Sequence, residues 1–546
     1  MSTKTKQRVP GPEEPSPDNS WPAYFTLDSS ATLKDPVQLQ IQGTIPKWLT
    51  GSLYRNGSGV FKIGNTQFKH VFDGFAVLSR WTIKDGEVSF QSSVLDTESY
   101  RKSQKLNKIA GSAFGTYFPD PCRTIFNAHA TSFFPLPVSA KDNTNVNIIK
   151  FADKFFALTE SVVLQEVNPK SLLRNETIDI GESAVLHMGT AHPHVDPDDG
   201  NMIYVGTYLA NYSKAFKFFR VPAKIPPGET NPFMTAQFIG SIESRWKIHI
   251  GYTHSFGLTK NYIVYFELPT AFNSLKVFTV GMSRDTIEST MKNYPDEPIK
   301  IHILNKITGE RIPITYYAPH GFVFHFINCY EEDGCIICDV CLYDSGQVVK
   351  DFYLDEILNR QQNKIPFKGR FGRFVLPLRL NEVKNGENLV ALPTSGAKAT
   401  LRQNDKNVVD VLRDFTFFDD VYFDLPRINS EYNTRNYRYV YGCSIFNTDL
   451  ARLVKFDLVT KQVLDWRCGD GHSPGEPVFV KSPNAEKEDD GVILSTIMAR
   501  NASESSYLLV LDASTFKEIG RAVVPSSIKV NFSFHGDFYK NQLSDS

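Results

Sequence analysis

Long apolar runs are missing from this chain of 546 residues. No stretch approaches the roughly 18 consecutive apolar residues that a membrane-crossing helix needs. Charge of one sign is missing as well: 59 Lys and Arg stand against 60 Asp and Glu, a net charge of -1. A chain so balanced offers no polyanion-binding character, and nucleic acid is not an expected partner. Cysteine is sparse and odd in number, seven in all, so no disulfide scaffold is in view and a reducing compartment fits. The opening MSTKTKQRVPGPEEPSPDNSWP lacks the apolar core of a secretory signal. Its Glu13 and Glu14 argue against a mitochondrial transit peptide, which is poor in acids. The expectation is a cytoplasmic chain, rather than a mitochondrial one, with a disordered tail over residues 1–22 and one domain over 23–546.

Amphipathic helices are scarce too, KDFYLDEILNRQQ being the best candidate. What the chain has is strands. GCIICDVCLYD, NYIVYFEL, GVILSTIMA and YLLVLDA are short, β-branched or aromatic, and bounded by turn residues. The 41 Phe fit a large β core. A small pattern recurs, in which an apolar strand ends in Asp or Asn, Thr or Ser follows three residues later, and a second strand begins. It occurs at Asp512/Thr515, Asp457/Thr460, Asn305/Thr308 and Asn168/Ser171. Asp or Asn at the start of a turn bonds forward to the backbone and makes a tight hairpin. Repeated hairpins in a strand-dominated chain predict a β-propeller, with a large β-sandwich as the alternative.

Of 12 His, four lie in similar settings: GTAHPH (His192), GYTHSFG (His254), FVFHFIN (His325) and FSFHGDF (His535). In a propeller the innermost strand of each blade faces a common axis, so one histidine per blade would converge on one point. Imidazole-only ligation suits a divalent Fe, Zn, Cu or Ni ion. His192 and His194 are one residue apart, which by itself fits a chelating pair, a single ligand or two polar neighbours. Three acids stand among apolar residues where they could accept a ring N–H from a ligating histidine: Glu160, Asp424 and Glu476. Cys335, Cys338 and Cys341 have CxxCxxC spacing, but alternate residues of a strand face opposite ways and no further cluster completes a site. They read as buried structural cysteines.

These segments resemble a known family. The string GSLYRNGSG, HVFDGFAVL, FPDPCR, DNTNVN, TAHPHVD, THSFGLTKNYIVYFE, FHFINCYEEDG, GRFVLPL, EPVFV, KEDDGV and the final FHG is similar to the animal carotenoid cleavage oxygenases. That family includes β-carotene oxygenases, insect isomerooxygenases and a retinoid isomerohydrolase. The likeness runs from about residue 37 to about residue 540. It implies an all-β, seven-bladed propeller capped by loops and short helices over an axial Fe(2+) held by His192, His254, His325 and His535. It implies that Glu160, Asp424 and Glu476 orient His254, His325 and His535 in turn. Two departures stand out. The family's second acid is Glu where this chain has Asp424, whose shorter arm puts the bond to His325 in question. Ser58 replaces a proline in RNGPG and implies only a changed turn.

What the resemblance implies about activity is a dioxygenase that uses O2 to cleave a double bond of a carotenoid or apocarotenoid into two carbonyl products. The alternatives are a retinoid isomerohydrolase, a combined isomerase-oxygenase and a non-catalytic carotenoid-binding propeller. DNTNVN resembles the cleaving members, and the complete histidine set argues against mere binding. Phe126, Phe133 and Phe134 lie where tunnel residues could fall. A lipophilic carotenoid or retinoid partner implies peripheral membrane association. Residues 210–224 and 269–282 interleave aromatic or aliphatic residues with Lys and Arg as an interfacial patch would. Cys122 is a weaker candidate for reversible acylation.

Overall fold

The structure is a computed structural model. It describes residues 21–118 and 142–540 apart from 182, 210–212, 284, 364–366, 381–385, 394, 404 and 447–450. Phe126, Phe133, Phe134 and Cys122 lie outside the described residues. Trp21 and Pro22, expected in the tail, pack on the body: the Trp21 ring meets Phe61 at 6.5 Å and Pro22 is buried.

The recurring Asp/Asn pattern does what its chemistry predicts. Asp512 Oδ1 accepts the Thr515 N–H at 2.7 Å, Asp457 Oδ1 that of Thr460 at 3.2 Å, Asn305 Oδ1 that of Thr308 at 2.9 Å and Asn168 Oδ1 that of Ser171 at 3.0 Å. In each hairpin the next residue is left-handed: Phe516, Lys461, Gly309 and Leu172 have φ of 57°, 57°, 72° and 59°. This is the turn-plus-bulge hairpin, whose left-handed position suits glycine. Only Gly309 takes it without strain.

Antiparallel sheets follow one another along the chain. They begin with Asn147–Phe151 to Arg174–Asp179, then Met188–Gly189 to Gln237–Glu243, then Gly257–Leu258 to Thr315–Ala318. Phe322–Glu332 to Arg370–Pro377 comes next, then Asp424–Arg427 to Gln462–Arg467, then His472–Pro474 to Glu518–Val523. The first sheet, built on Gly51–Val60 and Phe75–Lys84, takes the last strand, His535–Lys540, at its edge. Gln40–Gly43 in turn pairs with Glu518–Val523. The two chain ends thus interlock across neighbouring sheets and close the ring. That makes seven blade-like sheets among the described residues, the number expected for the propeller. A separate three-stranded sheet, His249–Gly251 with Thr270–Asn273 and Met291–Asn293, is an insertion.

Closure leaves no room for a side chain at Gly536, where a Cβ would lie 1.9 Å from the Tyr54 carbonyl oxygen. Leu354–Asn363 is helical as expected. Glu98–Leu106 and Ser274–Ser283 are helices that the periodicity did not reveal. The first is capped by Thr97, which accepts the Tyr100 N–H, and ends at left-handed Asn107. The expected interfacial patch at 210–224 is corrected over its described residues, 213–224. Phe216 and Phe218 are fully buried on the strand Lys214–Val221, and Ala215, Phe219 and Val221 on its other face are buried too, so its aromatic residues are core and not an exposed patch.

Candidate metal centre

Each of the seven sheets delivers one polar side chain to the centre. His192 comes from the broken inner strand between Met188–Gly189 and His194–Val195, and His254 from the approach to Gly257–Leu258. His325 sits in Phe322–Glu332, within one register slip and just ahead of a second, and His535 opens the closing strand. Glu160 lies in the turn between Lys154–Leu158 and Val163–Val167. Asp424 starts its strand, and Glu476 lies between His472–Pro474 and Val478–Lys481. All seven are residues that the sequence pointed to.

The four histidines converge, with one ring nitrogen of each within 4.8 Å of the others. His254 Nε2 and His325 Nε2 are 3.1 Å apart. Ring centroids of His192 lie 4.4 Å from those of both His254 and His535. Behind three of the rings stand the three acids. Glu160 Oε1 takes His254 Nδ1, Asp424 Oδ1 takes His325 Nδ1 at 2.7 Å, and Glu476 Oε1 takes His535 Nδ1 at 2.9 Å. A carboxylate on Nδ1 fixes the tautomer that leaves the Nε2 lone pair free. The doubt over Asp424 is thereby resolved: despite its shorter arm, its bond to His325 is direct.

His192 has no acid. Its backbone N–H donates to Thr190 Oγ1 at 2.9 Å, and that hydroxyl donates to the His254 carbonyl at 2.6 Å. One loop contact therefore steadies two of the histidine backbones. His192 Nε2 is buried with no hydrogen-bond partner. His194, the other half of the sequence pair, turns away and bonds through Nε2 to the Phe256 carbonyl at 2.9 Å. It is a structural neighbour.

Residues beyond the sequence reading complete the centre. Arg55, 1% exposed, ion-pairs with Glu476 and donates to the Phe534 carbonyl at 2.9 Å. Arg427 stands 3.9 Å from Glu476 and pairs with Asp537 at 2.9 Å. The Tyr252 hydroxyl donates to Glu160 at 2.6 Å, and the Tyr343 hydroxyl donates to Asp424. Arg55 was legible in principle, since an arginine in the apolar strand LYRNGSGV has to be paired if it is buried.

The donor set fits a divalent cation. A buried imidazole nitrogen without a partner is costly unless something binds it. Glu160 and Asp424 are bonded by hydroxyls, a backbone N–H and imidazole, and among the described residues no Lys or Arg pairs with either. A cation held by the rings would balance them. Aromatic rings wall the cluster: Phe324 lies 5.1 Å from His254, and Phe72 lies 6.3 Å from Phe324 and 5.6 Å from Phe534. The Cys335–Cys341 run is buried in one strand, its thiols are free, and among the described residues no cysteine joins a metal-binding group.

A propeller with an all-imidazole centre on its axis is the class these features define. Residues 27–540 match the family described as retinal pigment epithelial membrane protein. Human beta,beta-carotene 15,15'-dioxygenase is 33% identical over 513 residues, 92% of each chain. The carotenoid-cleaving dioxygenase, mitochondrial, of Mustela putorius furo is 34% identical over 519 residues, 92% of this chain and 93% of that one. In fold, the chain is similar to cobalt-substituted Synechocystis apocarotenoid oxygenase, with a TM-score of 0.73 at 22% identity over 96% of this chain and 99% of that one. The chain belongs to the carotenoid oxygenase family.

Burial and the neighbouring imidazoles hold His192 and His535 well below the usual histidine range, and burial lowers His254 against the pull of Glu160. In the unfolded chain these rings take up protons near pH ~6.5, whereas the folded protein resists them. The stability of the metal-free protein is therefore full above that pH and is lost as pH falls through it. Asp73, pushed up to about 7 by burial, acts in the opposite sense, so the comparison must be internal. Between about pH 7.5 and about pH 5.5 the thermal midpoint of the metal-free protein should fall, and His192→Gln should lessen the fall. The same fall in both proteins would remove the attribution.

Proposed function

We propose that this chain is a non-haem iron(II) dioxygenase that cleaves one double bond of a carotenoid or apocarotenoid. The observation that carries the reading is the four-imidazole cluster with a carboxylate behind three of its rings, in a chain whose relatives are named as carotene and carotenoid-cleaving dioxygenases. His192, His254, His325 and His535 hold the metal through Nε2, and Glu160, Asp424 and Glu476 orient three of them. Bound there, a ferrous ion would supply the electron-transfer chemistry with O2 that side chains lack.

In the net reaction each carbon of the broken double bond takes one oxygen atom of O2. Two aldehydes or ketones form and no outside reductant is consumed. The chain's own task is positional. Phe72, Phe324 and Phe534 exclude water and offer ring faces to a flat polyene. Such faces are worth roughly 1–2 kcal/mol per good contact to cationic character on the chain.

The substrate class calls for a membrane-facing surface on a cytoplasmic, peripherally bound protein. Among the described residues no helix is long and apolar enough to cross a membrane. Ile248 and Leu275 are 48% and 55% exposed and adjacent, for Ser274 donates to the Ile248 carbonyl at 3.0 Å. Lys247 and Lys276, both exposed, flank them, the composition of an interfacial patch.

Iron-loaded protein given β-carotene in detergent under ¹⁸O2 should yield two carbonyl products, each carrying label. Turnover of a retinyl ester to an isomerised alcohol, with no O2 uptake and no cleavage, would overturn the assignment. In a vesicle-sedimentation assay, Ile248→Glu combined with Leu275→Glu should move the protein to the supernatant while turnover in detergent is kept. Unchanged pelleting would discard this surface.

A further inference from the structure

The three acids are not supported alike. Glu476 is held by two guanidinium groups and Glu160 by the Tyr252 hydroxyl. Asp424 is the one aspartate, and it reaches its imidazole through a distorted backbone. Between Asp424 and Arg427 the strand gains a residue relative to its partner, since Asp424 faces Cys443 and Arg427 faces Tyr441. Leu425 within that bulge is left-handed, with φ of 51°, a conformation unusual for leucine. Bulges of this kind re-aim a side chain. Here the bulge also turns the Leu425 N–H onto Asp424 Oδ1 at 2.8 Å, the oxygen that takes His325 Nδ1.

The second oxygen, Oδ2, accepts the Tyr343 hydroxyl. Tyr343 is buried at the end of Cys335–Tyr343 and faces Phe322, in the strand that carries His325. Its ring is seated against Gly369, where a Cβ would come within 2.7 Å of it. The thiols of Cys341 and Cys443 complete a fully buried setting in which, among the described residues, no Lys or Arg pairs with the carboxylate.

We infer that Tyr343 is a positioning residue of the metal centre, and that Tyr343, the Leu425 bulge and Asp424 form one unit fitted to aspartate. The hydroxyl fixes the plane of the carboxylate, and the carboxylate fixes the His325 ring. Asp424→Glu is then a damaging change although it keeps the charge, because the added methylene carries the carboxylate past both the Tyr343 hydroxyl and the Leu425 N–H. The inference rests on the reading of the four histidines as metal ligands.

The test uses full-length protein loaded with Co(II), following its visible ligand-field spectrum and the rate at which a chelator strips the metal. Tyr343→Phe should lose metal about tenfold faster than wild type, at the low end of what orienting partners of metal ligands are worth. Its spectrum should shift while its thermal midpoint without metal changes little. Tyr441→Phe, which removes a buried hydroxyl that has no partner, should behave as wild type. In an Asp424→Asn background, Tyr343→Phe should add nothing. Asp424→Glu should also lose metal faster, so the inference can be tested even if Tyr343→Phe folds poorly. Wild-type retention and spectrum in Tyr343→Phe or in Asp424→Glu, or effects that multiply in the double variant, would overturn it. If wild-type protein itself takes up no metal, the reading of the site falls, and this inference with it.

Discussion

The bond between an imidazole on one blade and a carboxylate on another is the constraint on which the centre depends. A neutral histidine presents a free Nε2 lone pair when Nδ1 carries the proton, and a carboxylate on Nδ1 holds three of the four rings in that state. The propeller meets that need by geometry. His325 and His535 take their acids from adjacent sheets, Asp424 and Glu476, while Glu160 reaches past the sheet of His192 to His254. Each pair ties two blades together, so the histidine cluster and ring closure draw on the same contacts.

Such a centre is expensive. Asp424, Glu476 and Arg55 are withdrawn from water, with Glu160 and Arg427 half-buried beside them, and breaking a buried pair by removing one partner typically costs about 3–5 kcal/mol. Arg55 shows how the cost is met. One guanidinium binds Glu476, the Ser533 hydroxyl at 3.2 Å and the Phe534 carbonyl, and so holds the segment that presents His535. The closing strand His535–Lys540 lies on Gly51–Val60, the strand that carries Arg55. The last blade contact and the last of the four histidines are therefore set in place together.

Much of this was legible in the residues. The hairpin turns could be read because Asp and Asn act locally, on N–H groups two or three residues away. The four converging histidines could be read as a set of similar segments, although the family resemblance was needed to choose His192 over His194. What stayed hidden depends on distant backbone. Arg55 meets Glu476 across 421 residues, and Tyr343 meets Asp424 across 81. No local pattern marks either pair. The Asp424–His325 bond was in doubt because side-chain length was weighed without the bulge at Leu425 that compensates for it. The apparent patch failed over its described residues 213–224 for a simpler reason: interleaved Phe and Lys look the same on a surface loop and on a strand covered on both faces.

The central claim is that four imidazoles, and no carboxylate, hold the metal. The most direct measurement is a crystal structure of the iron-loaded protein with anomalous scattering recorded at the iron edge. The account predicts one strong anomalous peak bonded to Nε2 of His192, His254, His325 and His535, with Glu160, Asp424 and Glu476 still on the far nitrogens of their rings. A peak bonded to any of those carboxylates, or one that leaves His192 unligated, would contradict it.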